Sequence, residues 1–572
     1  MLAARANEAA CQRNFTSSSP RHRLVISSFT KLDNPLPEKI NCGSMPPIML
    51  LRKAKSKKAI LIAVYVSVFV VVLFYIKPLF GQPISRNLFK PRPSVPRPLD
   101  SAFQHEPNTA ADEESRCRAS NARLSDLQER YGLENTFQYL RRVIYFTREP
   151  DVQRQSLTKL SQRLLKKDFQ YVQLKPQLKN TGSSCAEAIE VPVSASAFPQ
   201  DVDASELMFG VSTTFDRFTE YATILINDWS FWLTDGFQRS NGGKLILMLL
   251  DANPEQLRLA KLALNKAGID ADTYASDSSL PMAARNMALI PTMFTHTEAR
   301  KKKWLVLCDD DTYFPNMHAL IMRLAKHDAS SDMYIGALSE DSLATQKHGS
   351  QAFGGAGIFL SLSTAEKITK NFDECSSEKK VEQAGSQGDR LLRQCIQEHS
   401  EIQLTISQDL WQLDIFGDPS GFYEWGIKPL SLHHYRSWHQ ATPNDLTKLA
   451  YICGEDCILQ RFQTFDDFII SGYSIAHYPG GINFDTNHVE KTFHAETDEG
   501  WNFDYKMGSQ RASLSQTGRK IAWKLEEAII QQDGSVLQTY VRRANDARWV
   551  DADGKPMDEH DSVIELIWAP GR

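Results

Sequence analysis

Three consecutive carboxylates, Asp309-Asp310-Asp311, follow directly on the apolar run Trp304-Leu305-Val306-Leu307-Cys308. A short apolar run of this kind reads as a strand buried on both faces, as in a parallel sheet. Carboxylates crowded at its exit repel one another unless a cation sits among them. Oxygen donors favour Mg²⁺ or Mn²⁺, and such an ion would in turn hold a diphosphate. At the carboxyl edge of an open α/β sheet that combination suits a nucleotide-sugar. Asp also favours turns, so the run taken alone suits a solvated acidic turn equally well.

Further segments downstream offer chemistry. Phe353-Gly354-Gly355-Ala356-Gly357-Ile358-Phe359-Leu360-Ser361 gathers small residues, which either let a backbone approach a ligand or another strand closely, or form a plain glycine turn. Gly388-Asp389-Arg390 opens a helical pattern carried by Leu391, Leu392, Cys395 and Ile396. Asp389 is there either a first-turn acid or a carboxylate aimed into a cleft. Asp414-Ile415-Phe416-Gly417-Asp418-Pro419 follows, and Leu430-Ser431-Leu432-His433-His434-Tyr435 ends an apolar run in paired imidazoles. Such histidines suit a polar surface, and they equally suit the company of carboxylates on Mn²⁺.

These residues need a frame, and one begins near Glu206. Leu207 to Val211 reads as a strand ending in Ser212-Thr213-Thr214, and Phe215 to Trp229 as an amphipathic helix. Lys244 to Leu250 reads as a second strand ending at Asp251, and Glu255 to Ala267 as a helix. Pro281 to Phe294 reads as a further helix before the strand that carries the aspartates, and Tyr334 to Leu338 as the next strand. Alternation of this kind predicts a mostly parallel sheet with right-handed crossovers. Thr213, Asp251 and Asp309–Asp311 then face a ligand from one edge. No Gly-x-Gly-x-x-Gly fingerprint and no phosphate-binding P-loop stands at these junctions, which disfavours a dinucleotide enzyme or an ATPase.

Taken in order, WLVLCDDDTYF, YIGAL, FGGAGIFLS, GDRLLRQCI, QLDIFGDPSGF and LSLHHY resemble the fringe-like β-1,3-glycosyltransferases, glycosyltransferase family thirty-one, and most of all their plant and fungal fringe-related branch. The resemblance spans roughly 205–440. It implies a GT-A fold (α/β, Rossmann-like), a UDP-sugar donor, a divalent cation, Mn²⁺ or Mg²⁺, and an inverting transfer to a glycan, glycoprotein or glycolipid acceptor. Carried onto this sequence, Asp311 matches the direct metal ligand of the family's DxD-type motif, with Asp309 and Asp310 contacting the nucleotide or ordering the loop. His434 matches the histidine ligand, and His433 takes that role if the register slips by one. Asp389 matches the general base, and Gly355, Ala356 and Gly357 match the loop lining donor sugar and acceptor. Many relatives carry two acids at the base position; here Gly388 precedes a single Asp389. The alternative is a membrane-anchored glycan-binding protein with the same fold and no turnover, against which the retained Asp311, Asp389 and His434 speak.

Length and composition bound the rest. At 572 residues the chain implies two or three domains, and a net charge of −4 gives no argument for nucleic acid. Ala59 to Ile76 is uncharged and long enough for a transmembrane helix at the short end of the range. Arg52, Lys53, Lys55, Lys57 and Lys58 precede it, while only Lys77 follows closely, so a cytosolic tail (1–58), a signal anchor (59–76) and a luminal remainder are expected. A single-pass type II protein is the reading that follows, and the family resemblance implies the Golgi (or ER–Golgi) membrane as its place. A proline-rich stem (77–116) and a helical stem or packing region (117–204) lead to the catalytic domain (205–440). A β-rich accessory region (441–572) follows, where the resemblance fades. In an oxidising lumen Cys117–Cys185, Cys375–Cys395 and Cys453–Cys457 are one pairing among fifteen, with Cys308 as a free core thiol.

Overall fold

The computed structural model describes residues 116, 118–155, 157–165, 169–173, 186–493 and 503–571. The expected anchor at 59–76 and the Cys117–Cys185 pair lie outside the described residues. Among the described residues no helix is long and apolar enough to cross a membrane.

The frame read from the sequence is present as a seven-stranded sheet. Its strands are β1 Leu207–Thr214, β2 Lys244–Leu250, β3 Asp270–Ala275, β4 Trp304–Leu307, β5 Tyr334–Gly336, β6 Ile358–Ser361 and β7 Leu404–Ile406, in the spatial order β7-β5-β6-β4-β1-β2-β3. β1 pairs in parallel with both β2 and β4, and β2 with β3. β6 runs antiparallel to β4 and β5, so the sheet is mostly, not wholly, parallel. All four residues of β4 are buried, each aliphatic side chain contributing about 1.5–3 kcal/mol.

Helix α1, Phe215–Leu233, starts where the Thr214 hydroxyl accepts from the Arg217 amide, and buries Phe218, Leu225, Trp229 and Trp232. Helix α2, Pro254–Lys266, opens on a reciprocal Asn253–Gln256 capping box with Pro254 in its first turn. The helix expected over 281–294 is two, α3 Met282–Met287 and α4 Leu289–Thr295. Pro291, inside α4, has no amide hydrogen to give the Met287 carbonyl four residues back, and the helix breaks at Ala288. Helix α5 covers Met317–Leu324 and helix α6 Gly388–His399. Cys395 on α6 is joined to Cys375, Cys453 to Cys457, and Cys308 is free and buried.

A second sheet, ten-stranded, draws on both ends of the described chain. Thr136–Glu149 pairs in parallel with Ser562–Pro570, placing Val143 opposite Ile567. The region expected as a helical stem therefore is not one: Asn121–Tyr131 is helical, but Leu157 lies in a strand paired with 461–463, and 160–165 is irregular. The spacing of Leu157, Leu160, Leu164 and Leu165 is helix-like, but it reflects burial rather than helix. Leu164 and Leu165 donate their amides to the Asp467 carboxylate while their side chains enter the core of the second sheet. The described part of 441–572 contains strands as expected, most of them in this shared sheet, with Val489–Glu490 and Gln510–Arg511 pairing apart from it.

Candidate active site at the end of β4

The chain turns sharply as β4 ends. The Asp309 amide donates to the Thr312 hydroxyl at 3.0 Å, and the Thr312 amide donates back to the Asp309 carbonyl at 3.1 Å. Tyr313 then forms a two-way antiparallel bridge with Leu432, each amide donating to the other's carbonyl at 2.8 Å. That bridge sets the register between two segments more than a hundred residues apart. It lays His433 and His434 directly over the aspartates.

His433 Nε2 lies 3.0 Å from Asp311 Oδ1 and 3.4 Å from Asp309 Oδ2, and His434 Nδ1 lies 3.6 Å from Asp311 Oδ2. Donor atoms of Asp311, His433 and His434 fall within 4.8 Å of one another. Both histidines therefore lie in the cluster. Burial alone would lower the His433 imidazole, but Asp311 and Asp309 hold it well above its ordinary 6.5. Burial alone would likewise raise Asp311, but the two imidazoles hold it well below the usual carboxylate range. One carboxylate oxygen and two imidazole nitrogens form a set that could hold a divalent metal ion.

The glycine loop supports this cluster from beneath. A Cβ on Gly355 would lie 2.4 Å from the His433 ring, so only glycine fits there. The Thr312 hydroxyl donates to the Gly355 carbonyl at 3.0 Å, and the Ser431 hydroxyl to the Ala356 carbonyl at 2.7 Å. Gly357 has φ +89 and packs against Phe359 and Phe314. These residues hold the site's floor through their backbone.

The three aspartates part company. Asp310 is buried and turned away from the cluster, accepting from Thr213 Oγ1 at 2.6 Å and from Arg217 Nε and Nη2 at 2.5 and 2.8 Å. Asp310 thus orders the loop, one of the two roles expected of it, held there by Thr213 at the end of β1 and Arg217 on α1. Asp251 is exposed with φ +62 at the β2 end of the same sheet edge, with no hydrogen bond to the cluster. Asp309 stays half-exposed and faces the glycine loop, its Oδ1 3.6 Å from where a Gly354 Cβ would sit.

Asp389 stands on the other side of that loop, in the first turn of α6. Its Oδ2 accepts from the Gly354 amide at 3.1 Å. The carboxyl keeps partial exposure, yet burial and the nearby Asp309 charge push it up to about 7, the Gly354 amide and His433 offsetting only part. A cavity of about 30 Å³ lies against Asp309, Gly354 and Asp389. Adjacent glycines thus touch both groups: Gly354 the raised carboxyl, Gly355 the imidazole of His433.

Several supporting residues carried no signal strong enough to find in sequence. Asp228 on α1, fully buried, takes Arg436 at 2.7 and 2.5 Å and so ties down the residues after the histidines. Asp414, in a segment already noted, has Oδ1 3.8 Å from His434 Nε2 and is pushed up to about 6 by burial and by Glu340. Gln412 offers its carbonyl to His433 Nδ1 at 3.0 Å.

Comparison with known proteins agrees with the family resemblance. Residues 265–417 match the Fringe family model, described as Fringe-like, and residues 345–563 match the model described as a protein of unknown function, DUF604. The second match continues well past 440, where the sequence resemblance had been taken to fade, into the shared sheet. A search of curated proteins finds no match. Among solved structures, the galactosyltransferase LgtC in complex with donor and acceptor sugar analogues is 11% identical, covering 38% of this chain and 77% of that one with a TM-score of 0.27. GlyE of Streptococcus pneumoniae TIGR4, a glycosyltransferase, is 12% identical over 44% and 61%, with a TM-score of 0.28. Mouse xyloside xylosyltransferase 1 is 12% identical over 35% and 84%, with a TM-score of 0.24.

Proposed function

We propose that this fringe-like chain is an inverting glycosyltransferase of GT-A type, moving a sugar from a UDP-sugar to a hydroxyl of a glycan or glycoconjugate acceptor. The observation that carries the reading is the pairing across one glycine loop of a raised carboxyl, Asp389, with the Asp311–His433–His434 donor set. Asp311, His433 and His434 would hold Mn²⁺, which when bound supplies positive charge against the departing diphosphate. Asp389 accepts the proton of the acceptor hydroxyl as its oxygen bonds to the anomeric carbon. The bond from that carbon to the phosphate oxygen breaks on the opposite face, UDP leaves, and the configuration inverts. A carboxyl near 7 is well matched to taking a proton at neutral pH. Asp309, between the base and the imidazoles, keeps that carboxyl raised.

An anchor at 59–76 would place this site in the Golgi lumen, where UDP-sugars are used. The test is transfer and hydrolysis of a panel of UDP-sugars by the full chain in detergent, with Mn²⁺ and after exhaustive chelation. Turnover lost on chelation and restored by Mn²⁺ is expected. Turnover that survives chelation refutes the metal assignment, and glycan binding without turnover of any donor favours the inactive binding protein.

A further inference from the structure

The two histidines rest on a strap, 410–414, that is itself under strain. Leu413 and His434 both have φ +54, a left-handed conformation that costs a non-glycine residue free energy and persists only where surrounding contacts enforce it. The strap orients the imidazoles from behind. The Gln412 carbonyl accepts from His433 Nδ1 at 3.0 Å, which leaves Nε2 as the nitrogen facing Asp311. Asp414 lies 3.8 Å from His434 Nε2, and its other oxygen accepts from Ser339 Oγ at 2.7 Å.

What clamps the strap comes from two distant places in the chain. Glu340, fully buried, accepts from the Gln412 amide at 2.9 Å and the Asp414 amide at 3.3 Å, bracketing the strained Leu413. Lys506, from the short helix Asp504–Met507, donates to Glu340 Oε1 at 3.3 Å and to the Leu410 carbonyl at 2.8 Å, and stands 4.2 Å over the Trp411 ring. A buried ammonium whose donors go to the clamp and to the strap is not needed for the second sheet.

We propose that Lys506, acting through Glu340 and the 410–414 strap, is a positioning residue that holds His433 and His434 in metal-binding orientation. The C-terminal segment is then part of the metal site and not an appendage to it. The inference rests on the metal reading above. Outer residues that orient a ligand histidine commonly govern metal affinity by ten-fold or more.

The test measures Mn²⁺ affinity directly, by the electron paramagnetic resonance of free Mn²⁺ in the presence of UDP, on the full chain in detergent. Three variants are compared with wild type. Lys506→Met removes the clamp, and Lys506→Met with Glu340→Gln removes it while leaving no unpaired buried charge. Tyr540→Phe is a destabilising control in the C-terminal sheet whose hydroxyl partners are Gly472 and Gln538. Mn²⁺ affinity about ten-fold weaker in both Lys506 variants, with the control unchanged, is the expected result. Wild-type affinity in the Lys506 variants, or equal loss in all three, overturns this inference and leaves the metal reading intact. A wild-type chain that binds no Mn²⁺ overturns the metal reading and this inference with it.

Discussion

Replacing Asp389 by Asn keeps the side chain's size and an oxygen for the Gly354 amide, which donates across 3.1 Å. What disappears is the charge. In the native chain burial, then Asp309, push this carboxyl from 3.8 to about 7, against the smaller opposing pull of the Gly354 amide and His433. A folded-state value above the unfolded one means that ionisation opposes folding. The native state keeps its proton where the unfolded chain has lost it, so stability falls as pH rises from about 4 to about 7. Relative to acid, where both states carry the proton, stability is then lower by about 2 kcal/mol at pH 5 and by about 4 kcal/mol at pH 8. Asp389→Asn should therefore gain stability, and gain more at pH 8 than at pH 5, in urea unfolding followed at both values. The same variant should lose transfer by about 10²–10⁴-fold. In the wild type, kcat/KM should fall about ten-fold per pH unit below about 7 and level off above it. A gain over wild type that is no larger at pH 8 than at pH 5 refutes the buried-carboxylate argument. Wild-type turnover in the variant removes Asp389 from the reaction.

Gly355→Ala would press a methyl group into the His433 ring at 2.4 Å, and the ring is held from behind by Gln412. Mn²⁺ affinity measured by titration should weaken by about ten-fold or more, and an unchanged affinity would contradict the ring's placement. Arg217→Met strips Asp310 of its two guanidinium hydrogen bonds, so thermal unfolding should show a loss of about 2 kcal/mol, partly recovered by adding Asp310→Asn. Replacing both Cys375 and Cys395 by Ser opens a loop with a sequence separation of 20, and should cost about 3 kcal/mol in denaturant unfolding. No change on that double replacement would mean that α6 does not depend on the link.

The frame was legible because its signals are local. A strand at Lys244–Leu250 and the apolar run before the aspartates follow from uninterrupted burial, and α2 from its capping residues and period. Local signals misled where burial had another cause. The leucines of 157–165 keep a helix-like spacing, yet their amides go to Asp467 and to the strand at 461–463, partners some three hundred residues away. The break at Ala288 was written in the sequence through Pro291, and needed only the missing amide hydrogen to be taken into account.

For the site, the sequence by itself determined which groups exist: a run of carboxylates after a buried strand, a glycine loop, one acid at a helix start and two histidines after an apolar run. It could not assign roles within the run, because three identical side chains differ only in what surrounds them. Arg217 and Thr213 claim Asp310, the histidines claim Asp311, and Asp309 is left to face Asp389. The Tyr313–Leu432 bridge, not the spacing of the motifs, brings both histidines onto Asp311. Glu340, Asp414 and Lys506 enter for the same reason. A buried charge takes its meaning from partners that only tertiary packing supplies, since its desolvation and pairing are set by whatever encloses it.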